Sequence, residues 1–188
     1  MLETIQQLDV QFLLLINRAS GVVWIDFLML LFSAKWVWVP LYAFLLLRLV
    51  VRIGLNQIIW IFIVFFSLVV ITDQGSVQFF KNVFERLRPC HHPEVSQSVY
   101  LVAKRCGGSY GFISSHAANV FGLATLVYLF LGRRNKWWLM LFSWALMVSL
   151  SRVYLGVHYP IDVIAGGLYG VLCGATLFQV SKRIFQLQ

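Results

Sequence analysis

The stretch 57–79, QIIWIFIVFFSLVVITDQGSVQF, carries one charged residue, Asp73, and is long enough to cross a bilayer. Two similar runs lie at 161–180 and 137–156, and shorter ones at 22–34, 36–51 and 116–131. An open sheet edge finds no hydrogen-bond partner in hydrocarbon, so these runs are read as helices. The expected fold is all-α: a polytopic transmembrane helix bundle of about six spans, with five as the alternative. The run 22–34 is short; it is either re-entrant or joins the preceding segment as one broken span. Residues 5–18 are amphipathic and are expected to form an N-terminal interfacial helix.

Composition agrees. Of 188 residues, 60% are hydrophobic and only 12% charged, about half the charged fraction of an ordinary soluble domain. One membrane-embedded domain over 1–188 is expected, with no room for a second. Glu3 and Asp9 stand where a cleaved signal would carry basic residues. The net charge of +8 suits loops held against anionic lipid, or an anionic substrate. Nucleic acid is not an expected partner, since no long basic stretch or basic helix face is present. The bilayer and a lipid with a phosphate headgroup are, and the number of oligomer partners stays open.

Three polar stretches interrupt the apolar pattern: KNVFERLRP (81–89), FISSH (112–116) and SRVYLGVHYPID (151–162). Charge at the ends of membrane segments is costly and is read first as function. In the third stretch, His158 and Asp162 have the spacing of one helix face, and Pro160 suits a first helical turn. A carboxylate there can fix the imidazole tautomer and leave the other nitrogen free to attack. Arg152 is a bidentate phosphate ligand in kind. In the second, Ser114 is a natural N-cap, and His116 sits in the first turn, where free N–H groups favour an anion. In the first, Lys81 and Arg88 are seven apart, two helical turns, and Pro89 ends the helix. Each stretch alone also has a plain structural reading: an interfacial histidine beside a capping Asp, a capping Ser, and basic anchoring at a membrane surface. Together they supply a nucleophile, its orienting acid, a proton donor and three cations, the needs of phosphoryl transfer. No metal or cofactor is expected, because the acid pairs that hold Mg²⁺ are missing from these stretches.

The pattern K-x6-RP, then Ser-x-His at a helix start, then SR-x5-H-x3-D resembles the type 2 phosphatidic acid phosphatase superfamily, across residues 81–162. The resemblance implies a lipid phosphate phosphatase with His158 as nucleophile through a phosphohistidine, Asp162 supporting it and His116 as general acid. It implies Lys81, Arg88, Ser114, Ser115 and Arg152 as the phosphate cradle. The second motif is usually Pro-Ser-Gly-His; here Ile113 and Ser115 replace Pro and Gly. Serine keeps the backbone N–H and fits unless the position needs a positive φ. The substrate stays open among an isoprenyl diphosphate, phosphatidylglycerophosphate, phosphatidic acid and a lipid A phosphate. A phosphotransferase using the same site, or a non-catalytic lipid-phosphate binder or transporter, are the alternatives.

Arg48, Arg52, Arg133, Arg134, Lys136, Lys182 and Arg183 fall on one side of this topology. Lys35, Lys81, Arg86, Arg88, Lys104, Arg105 and Arg152 fall on the other. Setting aside Lys81, Arg88 and Arg152 as chemical, the excess of positive charge puts the short loops in the cytoplasm. The three motifs are then on the periplasmic or extracellular face, and the expected location is a bacterial inner (plasma) membrane. On an oxidising exterior Cys90 and Cys106 are expected to form a disulfide, with two free thiols as the alternative. His91 and His92 read as loop surface or lid, and Asp73 as a bundle-facing acid. Gly166, Gly170 and Gly174 form a stripe for close helix approach, within the chain or at a dimer seam.

Overall fold

The computed structural model describes residues 2–132 and 135–185. Seven helices are formed among them: α1 (Leu2–Asn17), α2 (Val23–Ser33), α3 (Val39–Ile53), α4 (Ile58–Gly75), α5 (Ser115–Leu131), α6 (Met140–Tyr154) and α7 (Pro160–Ile184). Each of the six apolar runs of the sequence is a helix. Three continuous helical stretches are long and apolar enough to cross a membrane: Lys35–Ile53, Leu55–Phe84 and Pro160–Ile184. The chain is an integral membrane protein. α2, with 11 residues, is about 16 Å long and covers about half of a hydrocarbon core. It is a helix separate from α1. Arg133 and Arg134, which entered the charge count, lie outside the described residues.

α4 does not run on as a regular helix to Pro89. A π-helical turn, Ser76–Lys81, widens it, the short piece Asn82–Phe84 ends it, and Glu85 takes a left-handed conformation with φ 47°. The two-turn spacing of Lys81 and Arg88 is therefore no guide to their relation. Arg88 lies beyond the helix in extended backbone, and Pro89 opens a separate 3-10 turn.

α5 and α7 form the tight seam of the bundle. A Cβ on Gly166 would run into the carbonyl of Ser114, one on Gly170 into that of Ala118, and one on Gly174 into that of Gly122. The glycine stripe thus joins two helices of the same chain. α1 lies across the site end. Its Asp9, Leu13 and Asn17, one turn apart, are buried, while Leu8, Phe12 and Leu15 face outward. Asn17 fastens it: its amide donates to the carbonyls of Tyr100 (2.9 Å) and Tyr154 (2.7 Å), and its oxygen accepts from Tyr100 N–H (2.8 Å).

Between α4 and α5 the loop 85–114 folds back over the bundle. Cys90 and Cys106 are disulfide-bonded, with Cα atoms 6.1 Å apart. Leu87 and Tyr110 form an antiparallel bridge, Arg88 N–H donates to the Ser109 carbonyl (3.0 Å) and Gly111 N–H to that of Arg86 (2.8 Å).

Candidate active site

The third motif turns from α6 into α7. Gly156 supplies the positive φ of 76° that lets the chain reverse. Tyr159 is the N-cap of α7, Pro160 opens it and Asp162 is its third residue. Asp162 Oδ2 accepts the Tyr159 N–H at 3.0 Å, half of a capping box, and faces His158 Nδ1 at 3.4 Å. The expectation that both lie on one helix face needs correcting: His158 precedes the helix, and capping geometry brings the pair together. Asp162 and His158 are buried. Burial holds the imidazole down at about 4; the Asp162 hydrogen bond works against this, and the charges of Arg88 and Arg152 reinforce it. At neutral pH the ring is therefore uncharged, with Nδ1 facing the carboxylate and the Nε2 lone pair available.

The second motif starts α5. Ser114 is its N-cap and accepts the Ala117 N–H at 3.4 Å. Its own N–H donates to the Asp162 carbonyl at 2.9 Å, tying the start of α5 to the start of α7. Ser115 opens the helix, and among the described non-glycine residues only Glu85 and Lys104 have positive φ. The position where the superfamily has glycine thus tolerates serine here. The Ser115 hydroxyl has its own work: it accepts from Lys81 Nζ at 2.6 Å and lies 2.6 Å from Ser76 Oγ. The wide π-turn of α4 carries both of those partners.

Arg88 is buried and donates from Nε to the Tyr110 carbonyl (3.2 Å) and from Nη1 to that of Cys106 (3.1 Å). The disulfide therefore holds one of the two carbonyls that aim this guanidinium. Arg152, near the end of α6, donates from Nη1 to Ser33 Oγ on α2. Its Nε is buried without a hydrogen-bond partner among the described residues. A buried unpaired donor is costly, and an anion would satisfy it. Arg88 and Arg152 both lie within electrostatic reach of Lys81 and of the two histidines. Gly111 is the close point: a Cβ there would lie 3.1 Å from Arg88 Cγ, 3.1 Å from Asp162 Oδ2 and 3.6 Å from His158 Nδ1. The bare backbone lets the loop close over the pair.

Beside the polar groups lies an apolar cavity of about 510 Å³ between α2, α3, α4 and α5. Phe32, Tyr42, Leu45, Phe65 and Leu68 are among its walls, and His116, Ser33, Lys35 and Asn119 supply its polar positions. Lys35 was read from sequence only as a topological charge. Two further residues were missed in the same way. The sequence places Arg86 among the loop charges and Asp9 against a signal, yet Arg86 bonds to Asp162 and Asp9 bonds to Arg86 and to the first turn of α7. An acid on the inward stripe of an amphipathic helix, at 9 with 13 and 17, was the available signal. His91 is exposed and near the Gly107 carbonyl (3.4 Å), on the loop surface. With Cys90 and Cys106 it forms a group of ligand type, but the disulfide occupies both sulfurs.

The PAP2 superfamily matches residues 60–186. Over 98% of its length the chain is 35% identical to a lipid A 4'-phosphatase of Bacteroides thetaiotaomicron, of which it spans 81%. It is 38% identical to a lipid A 4'-phosphatase of Porphyromonas gingivalis over 80% of its own length and 63% of that protein's. The crystal structure of Aquifex aeolicus LpxE superposes with a TM-score of 0.64 at 24% identity, covering 92% of this chain and 95% of that one. A PAP2-type phosphatidylglycerolphosphate phosphatase from Bacillus subtilis gives 0.68 at 20%, covering 98% and 90%. These two likenesses are of fold. The chain belongs to the PAP2 superfamily, in its membrane lipid phosphatase branch.

Proposed function

We propose that this chain is a single membrane-embedded domain that removes a phosphate from a glycolipid of the lipid A type through a phosphohistidine on His158. The observation that carries the reading is the buried His158–Asp162 pair within electrostatic reach of Arg152, whose Nε has no hydrogen-bond partner among the described residues. The apolar cavity that reaches His116 supports a lipid rather than a soluble ester. Similarity to two lipid A 4'-phosphatases supports the sugar phosphate over the other lipids.

In this mechanism Lys81, Arg88, Arg152 and the N–H groups at the start of α5 hold the phosphate oxygens. His158 Nε2 attacks phosphorus, its Nδ1–H held by Asp162, while the bond to the leaving oxygen breaks and His116 gives that oxygen a proton. Water then attacks the phosphohistidine, His116 takes its proton back, and inorganic phosphate leaves. Acceptance of a second lipid hydroxyl in place of water would make the same site a phosphotransferase. The residues suffice without a metal. In this reading the six apolar helices form the membrane bundle, the motifs face the periplasm of a bacterial inner membrane and α1 lies in the interface.

The test is phosphate release by the purified chain, with EDTA present, from a lipid A phosphate, a prenyl diphosphate, phosphatidylglycerophosphate and phosphatidic acid. Release from lipid A that persists in chelator and falls by about 10⁴-fold or more in His158→Ala is expected. A requirement for Mg²⁺, or full activity in His158→Ala, overturns the mechanism. Preference for another lipid overturns the substrate.

A further inference from the structure

Arg86 and Asp9 belong neither to the phosphate cradle nor to the nucleophile pair, yet Arg86 bonds to Asp162 and Asp9 bonds to Arg86. Arg86 Nη1 donates to Asp162 Oδ1 at 2.7 Å, and Nη2 donates to Asp9 Oδ2 at 2.6 Å. The guanidinium also lies over the Tyr159 ring, with Cζ 4.1 Å from its centroid. The other oxygen of Asp9, Oδ1, accepts the Ile161 N–H at 2.9 Å, in the first turn of α7. Both carboxylate side chains are fully buried, while Arg86 keeps a quarter of its side-chain surface. One planar fork thus joins three elements: α1, the loop 85–114 and α7. With Oδ2 of Asp162 facing Tyr159 N–H and His158, and Oδ1 on Arg86, both oxygens of the carboxylate have fixed partners.

We infer that Arg86 is a positioning residue for the His158–Asp162 pair, and that Asp9 holds Arg86 in place, so that docking of the interfacial helix α1 completes the active site. The inference rests on the proposed role of His158 as nucleophile. A carboxylate held through one oxygen swings about its terminal torsion; held through both, it fixes the plane of the imidazole hydrogen bond and so the direction of Nε2. The charge of Arg86 also offsets the field of Asp162 at His158. Burial works against that charge, but Asp162 and Asp9 more than compensate and hold the guanidinium above its usual value. α1 supplies Asp9 from its inward stripe while Leu8, Phe12 and Leu15, 47%, 56% and 62% exposed, point the other way. That apolar face suits the lipid interface. Seating of α1 in lipid and alignment of the nucleophile are then one assembly.

The experiment uses the whole chain in micelles, labelled with ¹⁵N-histidine, with the His158 resonance assigned by its loss in His158→Ala. Titration of that ring is followed beside phosphate release. The charged and titratable groups around it are Asp162 of α7, Arg86 and Arg88 of the loop, Arg152 of α6, Lys81 at the end of α4, His116 of α5, and Asp9 behind Arg86. Arg86→Gln is expected to move the His158 titration up by about one pH unit. It is also expected to lower kcat about 10²-fold with KM little changed. Arg86→Lys keeps the charge without the fork, so the titration returns close to the native value while kcat stays low. Asp9→Asn lowers kcat as well, and the double variant with Arg86→Gln loses no more than Arg86→Gln alone. An unmoved titration in a folded Arg86→Gln protein, or losses that simply multiply in the double variant, overturns the inference. Should Arg86→Gln fail to fold, Arg86→Lys and Asp9→Asn decide it by the same readings: native kcat in both overturns it. A protein that releases no phosphate from any lipid, but whose His158 still titrates higher in Arg86→Gln, sinks the functional reading and leaves the positioning role standing.

Discussion

The α5–α7 seam and the α2–α3–α4 side of the bundle are packed by opposite rules. At the seam, glycines on α7 meet carbonyls on α5 with no room for a side chain between them. On the other side, α2, α3, α4 and α5 leave between them a cavity of about 510 Å³ lined largely by apolar side chains. The chemistry is divided accordingly. Asp162 is on α7, His158 immediately before it and His116 on α5, so the three groups proposed for the chemistry sit at the seam. The open side carries Leu45, Phe65 and Leu68, apolar groups that fill space and make no directed bonds. A phosphatase for a lipid needs both: alignment within a fraction of an ångström at phosphorus, and tolerance along the tail.

His116 stands at the border, on a seam helix but facing the cavity, and its loss bears most directly on the contrast between the two regions. His116→Ala is expected to lower kcat by about 10³-fold on a sugar phosphate or alkyl phosphate. On a diphosphate, whose leaving group needs less protonation, the loss should be at least tenfold smaller, by the logic of general acid catalysis. Equal losses on both substrates would remove His116 from the acid role. On the seam itself, Gly170→Val should cost about 3 kcal/mol of stability, because backbone rather than a movable side chain stands in the way. A thermal melt near the native value would mean the seam is looser than its geometry.

Acid should also loosen the seam end. The folded protein holds His158 at about 4, below its ordinary value of 6.5, so it binds fewer protons than the unfolded chain between those two values. Stability from this group is fully present above pH 6.5 and is lost as pH falls through about 4, in total about 3 kcal/mol. His158→Ala should flatten the melting profile in that window; an equally steep acid loss in the variant would place its origin elsewhere. The smallest effect belongs to the open side. Ala43→Trp on α3, which narrows the cavity, should raise KM about tenfold for a long-chain lipid and leave kcat and short-chain substrates unchanged. A fall in kcat instead would show the cavity to be part of the alignment machinery.

The seam was partly legible in the sequence and the open side was not. Glycines at 166, 170 and 174 announce close approach by spacing alone, but not which helix approaches. Ser114 could be named as an N-cap because capping depends on a few adjacent residues. Lys81 and Arg88 lie within electrostatic reach of each other, but not by two turns of one regular helix. The π-turn and the left-handed Glu85 end the helical phase between them, and neither has a strong local signature. The cavity is space left between four helices, and no single segment encodes it.

What the sequence determined by itself is therefore local: six apolar helices, their order, the capping residues and the three polar motifs. Helix length, hydrophobic run and first-turn chemistry are settled within a dozen residues, where side chains compete mainly with their own backbone. What only the tertiary structure decided is who meets whom. Arg86 reaches Asp162 across 76 positions and Asp9 across 77, Arg152 reaches Ser33 across 119, and Lys81 finds Ser115 rather than a partner on its own helix. A buried charge must find polar or oppositely charged partners, and which ones it meets is decided by the packed bundle, not by spacing along the chain.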